Sequence, residues 1–423
     1  MLKTLTIKRF KSIYESTLRF GRANLFIGAN GAGKSNVLEA LGVLSAALSR
    51  GLEPSILDSR GVRLSLPHIF KSSFRNTTVS PHLRLEAQFS FGRYECSIRS
   101  GLRRSFLEFH SEALFDGKTK VFGRGPNGIS INRKLLDAPA RDLQRVESSR
   151  SVWDVISPFC RVSTGLRSDL EEFSSFAIYS PQTAVMRGLA IDSRVIEPLG
   201  LTGSGLASAF LAALQWKEKL TPEGKQSFQE ILNIIWAPGW ADYIRVRSFD
   251  PTIVPPQVKG EGLALYIRDK FMRTSRNYLS AFDASEGTLY LVFVAALLLH
   301  PETPRTFALD NVDGTLNADL VRKLTDTLIK ACTAKPNSDQ GRKAYQTFVT
   351  SHHPSSLDSF DVFSDSQRIF VTRRRSSGIA IGSTYFDPLL PPEGTTKSEW
   401  VERKGGRNLS ELLLEDMIPG ALR

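Results

Sequence analysis

The sequence predicts an α/β fold, a sheet with crossover helices, and three observations carry that reading. A strand-like run at 23–27 feeds the octet Gly28-Ala-Asn30-Gly31-Ala-Gly33-Lys34-Ser35, and residues 36–48 follow as a helix-like run. The same pairing of a short apolar strand with a helix returns at 306–309 and 316–332. Two further apolar strands, 346–350 and 368–372, complete the alternation. Strands alternating with helices imply a largely parallel sheet, with any ligand at the carboxyl ends of its strands.

The elements follow in order. Residues 2–7 alternate apolar and polar side chains and read as a strand, with 8–12 as its turn. Residues 17–20 and 25–27 are further strands. Residues 83–91 and 93–98 read as a hairpin around Phe91-Gly92, and 106–115 continues the β signal. The stretch 116–150 is polar and rich in Gly and Arg, and reads as loop and surface. Residues 176–179 form a short strand ending at Ser180-Pro181-Gln182.

Two helices are predicted at 204–219 and 222–236. The second begins well: Thr221 can cap, Pro222 occupies the first helical position, and Glu223 favours the dipole. Pro251, Pro255 and Pro256 mark a boundary before a strand at 261–268. Residues 287–299 are apolar throughout, as in a buried helix, and 409–417 is a terminal helix. No heptads long enough for a coiled-coil arm and no internal repeats occur. The chain divides into an N-terminal lobe at 1–182, a helical lobe or insertion at 183–281, and a C-terminal lobe at 282–423.

Composition narrows the class. At 423 residues and 41% hydrophobic, the chain can bury a sizeable core. Its net charge of +12, with Arg outnumbering Lys, favours a polyanion, nucleic acid before membrane. Cys96, Cys160 and Cys332 are widely separated, as in a reduced cytoplasmic protein. The N-terminus lacks the long apolar core of a signal peptide, and the run 289–299 is too short to span a bilayer. A soluble, cytoplasmic protein is expected.

The octet is a complete G-x-x-x-x-G-K-S phosphate loop in its proper strand-to-helix context. Its backbone N–H groups, from Gly28 through Asn30, Gly31 and Gly33 to Asn36, would curl round a β-phosphate at the helix N-terminus. Lys34 would neutralise β/γ oxygens, and Ser35 would place its hydroxyl on Mg²⁺. The octet alone allows ATP or GTP.

Three later segments add to it. Ser285-Glu-Gly287-Thr288 opens the apolar helix and is either a second phosphate-binding turn or a plain helix cap. The strand at 306–309 ends in Asp310, followed by Asn311 and Asp313. An aspartate there can hold Mg²⁺ beside the loop, although any buried strand can end in Asp. The strand at 346–350 runs into Ser351-His352, whose imidazole either donates to a γ-phosphate or is an ordinary surface histidine.

The order of these pieces resembles the SMC/RecF/OLD-like group of ABC-type ATPases, often called AAA-type ATP-binding proteins. The opening Leu2-Lys-Thr-Leu-Thr-Ile-Lys-Arg-Phe-Lys-Ser-Ile13 is similar to the group's Ile-x-Asn-Phe-Lys-Ser-Ile start, with Arg9 in place of Asn. Ser285-Glu-Gly-Thr288 resembles its signature. Leu309-Asp-Asn-Val-Asp-Gly-Thr-Leu-Asn317 resembles the SMC string Leu-Asp-Glu-Val-Asp-Ala-Ala-Leu-Asp, and Thr350-Ser-His352 its switch histidine. Tyr179-Ser-Pro, Leu199-Gly200, Gly203-Ser-Gly205-Leu206 and Asp310-Asn311 resemble the ATPase subunits of bacterial anti-phage systems, chiefly the Septu type.

The resemblance implies an ABC-type P-loop ATPase head, a mixed sheet with an antiparallel β subdomain and a helical lobe. It implies ATP and Mg²⁺ sandwiched between the phosphate loop of one protomer and Ser285/Gly287 of another, in a homodimer or higher oligomer. It implies an effector nuclease as partner, with DNA or RNA as a further one and no membrane. Gln182 falls at the group's Q-loop, near nucleotide and metal, or is an ordinary turn residue. Asn311 stands where a catalytic Glu is expected, so turnover is slow, or Asp313 or a partner residue replaces the base. Arg103/Arg104, Arg245/Arg247 and Arg373-Arg374-Arg375 are candidate nucleic-acid contacts or solvated surface. A RecF-like repair ATPase, a transporter subunit and a small-molecule kinase are the competing classes. The signature turn and the N-terminal start speak against the transporter, and the distant Asp310 and His352 against the kinase.

Overall fold

The computed structural model describes residues 1–99, 106–137, 146–192, 198–258, 262–334, 345–391 and 393–415. Its frame is a 13-stranded mixed sheet. One half is parallel. In it β3 (Ala23–Ile27) lies between β14 (Gln346–Ser351) and β15 (Gln367–Arg374), and β13 (Thr306–Leu309) and β9 (Ala177–Tyr179) extend the β14 side. The other half is antiparallel. Strand β15 pairs antiparallel with β16 (Thr384–Pro388), which touches β2 (Ile13–Arg19) in parallel at one residue pair. Next come β1 (Leu2–Phe10), β4 (His82–Phe89), β5 (Gly92–Arg99), β6 (Glu108–Asp116), β7 (Thr119–Gly125) and β8 (Gly128–Ile131). The antiparallel part is therefore continuous with the parallel part in one sheet.

The parallel strands are apolar on both faces because helices cover both. On one face, Phe26, Ala308 and Phe348 pack with α1 (Lys34–Leu48) and the antiparallel strands. On the other, Leu25, Ile27, Phe307, Leu309 and Val349 pack with α8 (Glu286–Leu299) and α9 (Ala318–Thr333). Helix α8 is apolar all round and buried along nearly its whole length, which is why its sequence shows no polar face. Helix α9 is amphipathic, with Val321, Leu324 and Leu328 inward and Asp319, Arg322 and Asp326 outward. No helix among the described residues is long and apolar enough to cross a membrane.

Between Gln182 and Phe282 lie α5 (Thr183–Met186), α6 (Leu206–Lys217), α7 (Pro222–Leu232) and a separate antiparallel sheet of β10 (Ala241–Ser248), β11 (Leu263–Asp269) and β12 (Tyr278–Ser280). Thr221 caps α7 by accepting from the Gly224 N–H at 3.2 Å, as expected.

Several local expectations need correction. The stretch 116–150 is not simply loop: β7 and β8 cross it. In Lys-Val-Phe-Gly the adjacent Val121 and Phe122 are both buried, so the alternation that marks a strand is broken. Strand β1 runs on through Phe10 where a turn was expected. Arg9 takes φ 62°, a left-handed value, with its guanidinium 3.5 Å from the Tyr14 ring centroid. The related group carries Asn at this position, a residue that tolerates such backbone more easily.

Two buried amides brace the sheet, Gln346 between its halves and Asn24 between β3 and β14. Gln346 Nε2 donates to the Leu2 and Gly21 carbonyls, both at 2.8 Å, and its Oε1 accepts from the Leu2 N–H at 3.2 Å. Asn24 accepts from the Gly21 N–H at 2.9 Å and donates to the Thr347 carbonyl at 3.0 Å. Replacing Gln346 by Leu keeps the volume but leaves these buried backbone groups unpaired. We expect a loss of about 2–3 kcal/mol, read as a lower denaturant midpoint at unchanged slope. A change under about 0.5 kcal/mol would show that the joint adds little.

Candidate nucleotide site

Parallel pairing sets the site. Ile27 of β3 pairs with Ser351 of β14, and Leu309 of β13 with Val349. The next residues along each strand, Gly28, His352 and Asp310, thus leave the sheet at its carboxyl edge, where α/β ligands bind.

The phosphate loop leaves β3 and enters α1 at Lys34. Gly33, the residue before the helix, has φ 103°, and a Cβ there would run into the Thr384 and Ser12 hydroxyls. Only glycine fits. Arg374 braces the loop from outside, donating from Nε and Nη2 to the Gly31 carbonyl at 3.0 and 2.8 Å. Thr384 donates to the Ala32 carbonyl at 2.8 Å and shares a 2.7 Å hydrogen bond with Ser12. Asn36 donates to Ser12 Oγ at 2.6 Å, so its side chain holds the loop's base. No acidic side chain stands in the first turn of α1, which leaves the positive end of the helix for an anion.

Lys34 folds across this loop. Its Nζ donates to the Gly28 and Ala29 carbonyls at 2.6 and 3.0 Å. Burial pulls its pKa below the usual lysine value, while Asp313 and Asp310 oppose that shift. The ammonium is thus held within the loop at the position from which it can turn to phosphate oxygens.

Ser35 Oγ donates to Asp310 Oδ1 at 3.0 Å. The same carboxylate oxygen accepts from Thr350 Oγ1 at 2.5 Å, and Thr350 Oγ1 accepts from the Asn311 N–H at 2.8 Å. The Ser35 hydroxyl and the Asp310 carboxylate are hard oxygen donors in contact, a set that suits Mg²⁺. Asp313 is buried. Its Oδ2 accepts from the His352 N–H at 3.0 Å and lies 3.2 Å from His352 Nδ1, while its Oδ1 has no partner among the described residues. The Asp313 carboxylate thus holds the His352 backbone and lies beside its ring. Asp313 therefore orients His352 and is not open to water as a base. Asn311 is exposed, with φ 60°, a conformation Asn tolerates better than Glu.

The remaining expected residues lie around this centre. Ser285 caps α8 by accepting from the Thr288 N–H at 3.2 Å and shares a 2.7 Å hydrogen bond with Thr288 Oγ1. Gly287 faces the loop after Asn311: a Cβ there would lie 3.2 Å from the Leu316 side chain and the Thr315 carbonyl. Gln182 begins α5, its N–H donating to the Thr202 carbonyl at 2.9 Å, and its side chain is exposed. The hydrogen bonds of Ser285 stay within its own turn, and Gln182 is bonded through its backbone. Of the arginine candidates, Arg103 and Arg104 lie outside the described residues. Arg373 pairs with Asp387 at 2.8 Å, and Arg374 serves the phosphate loop, so neither is free surface charge. The sequence offered Arg374 as a nucleic-acid contact, not as a brace of the loop, and the roles of Thr384, Ser12 and Thr350 in holding the site were missed. Thr350 left a signal as part of the switch-histidine string and Ser12 as part of the N-terminal string, while Thr384 left none.

Comparison with known proteins now adds a family. The model of the family described as "AAA domain, putative AbiEii toxin, Type IV TA system" matches residues 23–358, most of the chain. The chain belongs to this AAA-type family. A crystal structure of an SMC head bound to the C-terminal winged-helix domain of ScpA is similar over 93% of this chain and 99% of that one, with a TM-score of 0.52 and 14% identity. An SMC head domain from Thermotoga maritima gives a TM-score of 0.43 at 14% identity, over 92% of this chain and 99% of that one. The DNA replication and repair protein RecF of Magnetococcus marinus (strain ATCC BAA-1437 / JCM 17883 / MC-1) is 51% identical over 49 residues, 11% of this chain and 13% of that relative's length. The fold is that of an SMC head, the ABC-type P-loop fold that the motif order implied.

The geometry of this AAA-type site predicts a role for Thr350. Thr350→Val removes the hydrogen bond to the Asp310 carboxylate and the acceptor of the Asn311 N–H, so Mg²⁺-dependent binding of a fluorescent ATP analogue should weaken about tenfold without loss of fold. Equal affinity in the presence of Mg²⁺ would show that Thr350 does not position Asp310.

Proposed function

We propose that this chain is an ATP-binding head that closes on a second copy of itself and gates a partner nuclease in anti-phage defence. The convergence of Lys34, the Ser35–Asp310 pair and the Asp313–His352 pair at one sheet edge is the observation that supports it. Lys34 and the loop N–H groups hold the β- and γ-phosphates of ATP. Ser35 and Asp310 would hold Mg²⁺, which neutralises phosphate charge when bound. His352, kept in place by Asp313, faces the γ-phosphate side. Ser285 and Gly287 complete the site from the partner protomer, so a γ-phosphate favours the closed dimer over the open monomer.

Hydrolysis is slow in this reading. Asn311 can position a water but cannot take its proton, and Asp313 is occupied by His352. ATP then acts chiefly as a lasting ligand that keeps the assembly closed. The 49-residue likeness to RecF favours a second reading, an ATPase that acts on DNA directly. Turnover strongly stimulated by DNA, with no nuclease partner, would select it.

The test is particle mass in solution with and without ATP·Mg²⁺. Wild type should be a dimer or larger with ATP, and smaller without it. Lys34→Ala should not respond, and Ser285→Arg should bind ATP yet stay small. A mass that ignores ATP would remove the gating idea. Asn311→Glu should raise turnover at least tenfold, while its left-handed backbone costs roughly 1 kcal/mol of stability. Ordinary turnover in wild type, unchanged in Asn311→Glu, would contradict the slow switch.

A further inference from the structure

The small sheet β10–β11–β12 has two unlike faces. Ile244, Leu265 and Ile267 face the core shared with α6 and α8. The other face alternates arginine and tyrosine. The register sets Tyr243 opposite Arg268, Arg245 opposite Tyr266, and Arg268 opposite Tyr278. The Arg245 guanidinium lies 3.9 Å from the Tyr278 ring centroid, Arg268 lies 5.2 Å from that of Tyr243, and the Tyr243 and Tyr278 rings are 6.5 Å apart.

One end of this face is closed. The Tyr266 hydroxyl donates to the Ser248 carbonyl at 2.9 Å and accepts from the Asp250 N–H at 2.8 Å, and Val254 packs over it. The other end is open. Tyr243 is 44% exposed there, and the β11–β12 turn adds Phe271 at 77%. Two exposed aromatic rings thus stand at the same end of the sheet, with Lys270 Nζ 5.0 Å from the Phe271 ring centroid. Charge points the same way. Arg268 is held by Asp242 at 2.8 and 3.1 Å, but among the described residues Arg247, Lys270, Arg273 and Arg276 form no ion pair.

The geometry points to a platform for single-stranded nucleic acid on the open end of this sheet. Tyr243 and Phe271 present ring faces to unpaired bases, and Arg245, stacked on Tyr278, presents a guanidinium plane. Lys270, Arg273 and Arg276, on the β11–β12 turn at the open end, meet the phosphates. Aromatic faces beside a basic track bind strands whose bases are unstacked, and DNA and RNA share that chemistry. A duplex hides its ring faces and offers only backbone charge. The platform also touches the signature turn: Trp240, the residue before β10, donates from Nε1 to Thr288 Oγ1 at 3.0 Å.

Fluorescence anisotropy of labelled strands of about 20 nucleotides, as single-stranded DNA, single-stranded RNA and duplex DNA, tests this with the nucleotide-free full chain. Single strands should bind more tightly than duplex. Tyr243→Ala and Phe271→Ala should each weaken single-strand binding about tenfold. Arg273→Glu with Arg276→Glu should weaken it further and flatten its salt dependence. Preference for DNA or RNA names which strand the platform takes. Phe271 lies on an exposed turn, so Phe271→Ala keeps the fold, and Lys34→Ala should bind strands as wild type does. Loss in Lys34→Ala alone would implicate the nucleotide site instead. Binding that ignores both aromatic substitutions, a duplex preferred over single strands, or poly-glutamate bound as tightly as a single strand would overturn the platform.

Discussion

Everything at the candidate site depends on one shared oxygen, Asp310 Oδ1. It accepts from Ser35, which belongs to the phosphate loop, and from Thr350, which belongs to the strand leading to His352. Three segments more than 250 residues apart in part are therefore fixed to one point. That is possible because β13, β14 and β3 run parallel and side by side, so their carboxyl ends meet. The apolar layers on both faces hold those strands, and the Asn24 and Gln346 amides hold the first strands to the last.

The same arrangement separates holding a nucleotide from consuming it. Every residue suited to holding is braced: Lys34 by loop carbonyls, the loop by Arg374 and Thr384, Asp310 by Thr350. The position suited to consuming carries Asn311, in a left-handed conformation that favours asparagine over glutamate. Asp313 is turned to His352. Backbone conformation and side-chain chemistry agree at that position, which is why slow turnover is the reading adopted.

Much of this was legible in the sequence because the informative strands are short, apolar and end abruptly. Ala23–Ile27, Thr306–Leu309 and Gln346–Ser351 each stop at a residue with chemistry, and the glycines of the loop have a fixed spacing. The braces were not legible. Arg374 sits in a run of three arginines that reads as surface charge, and its partner is a backbone carbonyl 343 residues away. Strand β10 was missed because its open face carries tyrosine and arginine in place of plain polar residues. Strand β7 was missed because Val121 and Phe122 are both buried. In each case tertiary pairing, not local pattern, decides the structure.

The most direct measurement is calorimetric titration of ATP into wild type and Lys34→Ala, each with and without Mg²⁺. One nucleotide per chain in wild type, tighter with Mg²⁺ and undetectable in Lys34→Ala at the same concentrations, is the predicted result. Equal binding by both proteins, or binding indifferent to Mg²⁺, would contradict the account.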